Sequence, residues 1–310
     1  MSSSNGASRS YYGQPVIKEP IWTWEIPMYF FTGGLAGASA GLGYLSELRG
    51  NRVLARRAWA LALFGVGTSP ALLISDLGKP SRFLNMLRMF KVTSPMSVGS
   101  WVLSAAGTAT GLAFVNEFTG LFPRSSRAAR PAAALVGLPL STYTAALVTN
   151  TSVPVWHEAR GFIAVVFASG AAASAGAAAC AVTPQSHAGP ARRLAIGGAV
   201  AELSTIQLME RRLGELGEPY HHGAGGRFTR IGKALTAAGG IAIAAGARRS
   251  RAAAVAGGVA LAAGALSERW AVYKAGFASA ADPKYTVGPQ RERIEKGETR
   301  GAARKEAVRG

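Results

Sequence analysis

The sequence predicts an all-α protein that crosses a membrane several times, and three observations carry that reading. Of its 310 residues, 49% are hydrophobic and only 16% are charged. The apolar residues gather in charge-free runs of Ala, Gly, Leu and Val, each long enough to cross a hydrocarbon core of roughly 30 Å as a helix. The basic residues sit between those runs, where they anchor to anionic lipid headgroups and set topology. That placement accounts for the net charge of +18 without nucleic acid as a partner.

Eight spans are expected, at 26–46, 57–77, 97–118, 131–150, 161–183, 191–209, 232–247 and 251–267, making the chain a multi-pass protein of the cell membrane. They divide it into a polar and interfacial N-terminal segment (1–25), a transmembrane domain (26–267) and a basic C-terminal tail (268–310). The opening MSSSNGASRS lacks the apolar core of a signal peptide, so the first span is expected to be retained. In that span Gly33, Gly37 and Gly41 recur every fourth residue and line one face for close helix packing. Pro70 and Pro139 fall inside the second and fourth spans, where a kink is tolerated. The last two spans are short and joined by Arg248-Arg-Ser-Arg251, which reads as a tight helical hairpin. Basic residues are nearly balanced between odd and even loops, so the positive-inside rule leaves the orientation open.

The stretch from Ile74 to Trp101 holds an acid, four bases and two prolines between two apolar spans. A plain hairpin needs none of these, so the stretch reads as one wall of a site at the membrane surface. With alternating spans, four span ends must reach that same surface. They bring Trp22, Trp24, Glu25 and Tyr29 together with Asp76 and Lys79, then Arg82, Ser94, Pro95 and Trp101, then Tyr143, Asn150, Trp156 and His157. Tryptophans at span ends also suit an interfacial belt. Tyr143 sits about seven residues before the end of its span, about 10 Å into the bilayer at helical rise, where a phenol needs a hydrogen-bond partner.

Glu202 lies near the middle of the sixth span. An intramembrane carboxylate marks a proton or ion path or a buried interhelical pair, and Gln207 is a candidate relay partner. All four histidines fall in loops, which leaves no pair facing across a bundle to ligate a haem. The single Cys180 cannot hold an iron–sulfur cluster, and no phosphate-cradling glycine loop is present. Chemistry in this chain therefore needs a bound organic ligand or protons.

The opening from Pro20 to Gly37, PIWTWEIPMYFFTGGLAG, the Asp76-Leu-Gly-Lys-Pro-Ser-Arg-Phe83 element, Thr93-Ser-Pro-Met-Ser-Val-Gly-Ser-Trp101, Thr142-Tyr-Thr-Ala145 with Pro154-Val-Trp156, and Ala280-Ala-Asp-Pro-Lys-Tyr285 together resemble the NrfD/PsrC family, the membrane subunits of polysulfide-reductase-type complexes. The likeness runs from about residue 11 to about residue 291. It implies two four-helix bundles, a menaquinone or ubiquinone site near the membrane surface, and two partners: a ferredoxin-like subunit of the four-cluster type and a molybdopterin catalytic subunit. Tyr143 falls where the family places a quinone-contacting tyrosine. The asparagine and histidine that polysulfide-reductase members carry in the first helix are Ile26 and Tyr29 here.

Quinone chemistry moves two electrons and two protons, so it needs an apolar slot, hydrogen-bond donors and a carboxylate leading to water. Tyr143, Tyr29, Trp24 and Trp101 are the expected quinone contacts, Asp76 and Glu25 the expected proton-handling carboxylates, and Lys79, Arg82, Trp156 and His157 the expected docking residues for the iron–sulfur partner. Two other functions fit parts of the pattern. Glu202, Asp76 and the intraspan prolines suit a secondary transporter or proton-conducting protein. A membrane anchor with a degenerate quinone site would explain Ile26 and Tyr29.

Overall fold

The computed structural model describes residues 16–79 and 81–295, and the expectations for residues 1–15 and 296–310 lie outside them. Among the described residues there is no strand. The helices are α1 (Glu25–Leu48), α2 (Arg52–Asp76), α3 (Ser81–Arg88), α4 (Pro95–Thr119), α5 (Pro123–Thr149), α6 (Pro154–Glu158), α7 (Arg160–Val182) and α8 (Gly189–Leu213), followed by a 3₁₀ segment (Gly214–Tyr220), α9 (Gly223–Gly246), α10 (Arg251–Ala281) and α11 (Lys284–Glu295).

Each expected span is a long helix, and local chemistry explains where several begin and end. Asn51 caps α2 by accepting from the Leu54 amide at 3.2 Å, and Ser94 caps α4 just before Pro95, which fills the first helical position where no amide is needed. Gly120 ends α4 in the left-handed region at φ 74°, a conformation that a side chain would strain. Four helices, α2, α4, α5 and α7, are long and apolar enough to cross a membrane by length and composition. The helices α1, α8, α9 and α10 have comparable or greater length, 24, 25, 24 and 31 residues, with buried charges in α8 and α10.

Packing divides the long helices into two rings of four. In the first, α1, α2, α4 and α5 each touch the next in turn; in the second, α7, α8, α9 and α10 do the same, and α1 and α5 lie against α7 across the seam. Glycine makes the closest approaches possible. Gly37 of α1 faces Gly137 of α5 so tightly that a Cβ on either would overlap the other's backbone. At the far face, Arg130 bridges Glu47 at 2.8 Å and Glu117 at 2.9 Å, tying α5 to α1 and α4.

Two boundaries differ from the sequence reading. The eighth helix does not stop at 267: α10 continues to Ala281, carrying Glu268 and Arg269 at 1% exposure each. The adjacent charges that suggested a membrane boundary are instead buried against charges on other helices. Inside the 78–94 connection, α3 forms an amphipathic turn with no buried residue, flanked by exposed Met89, Phe90 and Val92.

Candidate functional site

The start of α1 and the end of α2 meet in a hydrogen-bonded carboxylate network. Asp76 Oδ1 accepts from the Thr23 amide at 3.1 Å and from the Thr23 hydroxyl at 2.8 Å. The same hydroxyl bonds Glu25 Oε2, and Glu25 Oε1 accepts from Ser75 at 3.1 Å. Glu25 is buried and Asp76 half-buried, so the network leads from solvent into the protein. Both expected carboxylates thus sit together, joined by Thr23 and Ser75, which sequence reasoning missed because hydroxyls beside an interface carry no signal of their own.

One helical turn deeper on α1, four residues after Glu25, stands Tyr29. Its ring meets Tyr143 of α5 edge to face at 6.3 Å between centroids. Tyr29 is fully buried and its hydroxyl has no hydrogen-bond partner among the described residues, an unusual state for a buried phenol. Tyr143 rests on Gly99 of α4, where any Cβ would overlap its ring. Beyond it lies a cavity of about 560 Å³ bounded by Val92, Thr93, Pro95, Val98, Tyr143 and Asn150, among others. Thr93 and Pro95, on either side of Ser94, thus contribute to the wall of this cavity.

The tryptophans separate. Trp24 is 56% exposed at the surface and Trp101 is 42% exposed, its indole N–H donating to the Met89 carbonyl at 3.4 Å beside Phe90. Neither borders the Tyr143 cavity. Trp156 corrects the docking expectation. It has no exposure, stacks on Trp22 at 5.5 Å, donates to the Val272 carbonyl at 2.7 Å and fills the space left by Gly276. A side chain so enclosed locks α6 to α10 and cannot touch a docked protein. Tyr273 completes this lock by donating to the Trp22 carbonyl at 2.5 Å. Lys79, Arg82 and His157 are exposed, with His157 beside Arg160 at 3.1 Å.

The second ring holds a separate charge cluster. Glu202 has no exposure and neither carboxylate oxygen has a hydrogen-bond donor among the described residues. Arg269 lies beside it: Glu202 Oε1 and the Arg269 guanidinium both crowd the point that a Cβ on Gly170 would occupy. Arg269 donates to the Phe167 carbonyl at 2.9 Å and stacks over the Phe167 ring at 4.2 Å. Glu268 is also buried without a donor among the described residues, and further along α8 the buried Glu210 bridges Lys233 at 2.6 Å. Gln207 is exposed and takes no part. Five residues from Glu202, it is turned about 140° away around the helix.

The C-terminal helix is pinned at the face where α1 starts. Lys284 bridges Glu218 at 2.6 Å and Tyr285 donates to the same carboxylate at 3.2 Å. The Lys284 hydrogen bond holds the Glu218 carboxyl below its ordinary range.

A family model described as polysulphide reductase, NrfD, matches residues 14–209, which include the carboxylate network, both tyrosines and Glu202. No curated protein and no solved structure matches the chain.

Proposed function

The chain belongs to the polysulphide reductase NrfD family of membrane proteins, and on that premise we propose that it is the quinone-reactive membrane subunit of a respiratory oxidoreductase. All eight long helices cross the membrane, with the first ring of four holding the quinone site. The carrying observation is the alignment of three features: the cavity bounded by Tyr143, the buried Tyr29 against it, and the Glu25–Thr23–Asp76 network one turn toward the surface.

Each feature supplies something that quinone turnover requires. The cavity volume lies in the range of small-molecule sites, and its wall mixes apolar residues with a few polar ones. The Tyr143 phenol can donate to a quinone carbonyl at the cavity wall. The unpartnered Tyr29 hydroxyl is a second donor held behind it. Glu25 and Asp76 pass protons between this region and water through the Thr23 and Ser75 hydroxyls. Electrons come from an iron–sulfur partner of the ferredoxin-like type, itself served by a molybdopterin subunit, docking at the face where Trp24, Lys79, Arg82 and His157 are exposed. Glu202, Glu268 and Glu210 descend through the second ring toward that same face and form a proton path, with Arg269 and Lys233 balancing their charge.

Tyr143→Phe in the assembled complex tests the reading. Loss of one hydrogen bond to the substrate should slow quinone-linked electron flow about ten-fold while partner subunits still co-purify. Unchanged turnover in both Tyr143→Phe and Asp76→Asn would remove the site assignment.

A further inference from the structure

On the face opposite the carboxylate network, the seam between the two helix rings opens into a groove of about 600 Å³. It runs along α1 from Arg49 to Gly37, about 18 Å at helical rise, and so reaches from the surface to the interior of the bilayer. Its walls come from α1, α5, α7 and α8 and consist mostly of small apolar side chains. Three hydroxyls face it, and each is spent on its own helix: Ser46 donates to the Leu42 carbonyl at 2.6 Å, Ser141 to Gly137 at 2.9 Å and Thr142 to Leu138 at 3.3 Å.

The mouth is cationic. Arg49 and Arg193 line it, both exposed and neither with an ion-pair partner among the described residues. Arg193 also borders an adjoining pocket of about 340 Å³ shared with Arg192, Arg248 and Arg249. Among the described residues no carboxylate lines either space.

We propose that this groove is a binding site for an anionic glycerophospholipid, with the phosphate between Arg49 and Arg193 and one acyl chain lying along α1 over Gly41. A chain of methylenes needs no donor, which suits walls whose hydroxyls are already committed, while the donors Arg49 and Arg193 are confined to the mouth, where a phosphate rather than a ring buried along α1 would meet them. The arginine cluster matches a phosphate and is the kind of basic pocket between membrane helices that holds anionic headgroups. The lipid fills the seam and joins the two rings.

Gly41 supplies a selective test, because a Cβ there would meet nothing within 4 Å, so a larger side chain enters the groove without disturbing the helices. The full chain in its membrane complex would be purified in mild detergent, stripped of loosely held lipid, and titrated with phosphatidylglycerol or phosphatidylcholine while native mass spectrometry counts bound molecules. Phosphatidylglycerol should bind at one site in preference to phosphatidylcholine. Retention should fall about five-fold for each of Arg49→Gln and Arg193→Gln. Gly41→Leu should reduce retention with both arginines in place, whereas Gly67→Leu, at an open position on α2 away from the groove, should not. Phosphatidylglycerol retention unchanged in Gly41→Leu, as for a site that holds only a phosphate, a quinone retained there in place of phospholipid, or equal lipid retention in all variants would overturn the proposal.

Discussion

Replacing Arg269 with Met should destabilise the chain more than any other single change in the second ring. The arginine is fully enclosed, and its removal leaves buried Glu202 without its counter-charge and buried Glu268 facing Lys233, which already bridges Glu210. It also strips two hydrogen-bonded carbonyls, Val166 and Phe167, of their side-chain donor. Breaking one partner out of a buried ion cluster costs about 3–5 kcal/mol. For a chain of this size that corresponds to a shift on the order of 10 °C in the midpoint of thermal unfolding. The assay is the monodisperse peak that survives heating, followed by fluorescence-detected size exclusion in detergent. A triple variant, Arg269→Met with Glu202→Gln and Glu268→Gln, should recover much of the loss, because apolar or neutral groups can replace a buried charge cluster at little cost. A midpoint within 2 °C of the parent for Arg269→Met, or no recovery in the triple variant, would refute the argument that these three charges compensate one another.

Other consequences follow from the same contacts. Gly276→Ala places a methyl group inside the Trp156 ring and should cost about 1–3 kcal/mol, with altered tryptophan emission as Trp22 and Trp156 unstack. Gly99→Ala should displace Tyr143 and weaken quinone-linked electron flow while the complex assembles, measured against Gly67→Ala as a neutral control. The Glu218 carboxyl is held low in the folded state, so its contribution is complete above the ordinary glutamate range and is lost as pH falls through the depressed value. Protease sensitivity near α11 should therefore rise in acid, and Glu218→Gln should show that sensitivity already at neutral pH. Glu202→Gln in vesicles bearing the whole complex should lower proton movement per electron, and an unchanged ratio would exclude it from the path.

The helices were legible because most spans carry a long charge-free run, and because Asn51, Ser94 with Pro95, and Gly120 mark the ends of several chemically. The Glu25–Asp76 pairing was legible too, since alternating spans must return those two residues to one surface. Arg269 was not. Its partner Glu202 lies on another helix far away in sequence, and a Glu-Arg pair after an Ala-rich run looks the same whether it ends a span or is neutralised within one. Trp156 misled for a related reason: an interfacial tryptophan and a buried one have the same local sequence, and only Gly276 and the Val272 carbonyl, brought by α10, distinguish them. Gln207 could have been set aside from helical geometry alone, because five residues turn a side chain away from Glu202.

The central claim is that quinone meets this chain beside Tyr143, and photolabelling tests it most directly. The assembled complex, illuminated with an azido-quinone and digested, should carry the label on peptides spanning Thr93–Val98 or Tyr143–Asn150, and excess unlabelled quinone should abolish it. Label confined to the Gly37–Arg49 groove, or label that unlabelled quinone does not displace, would contradict it.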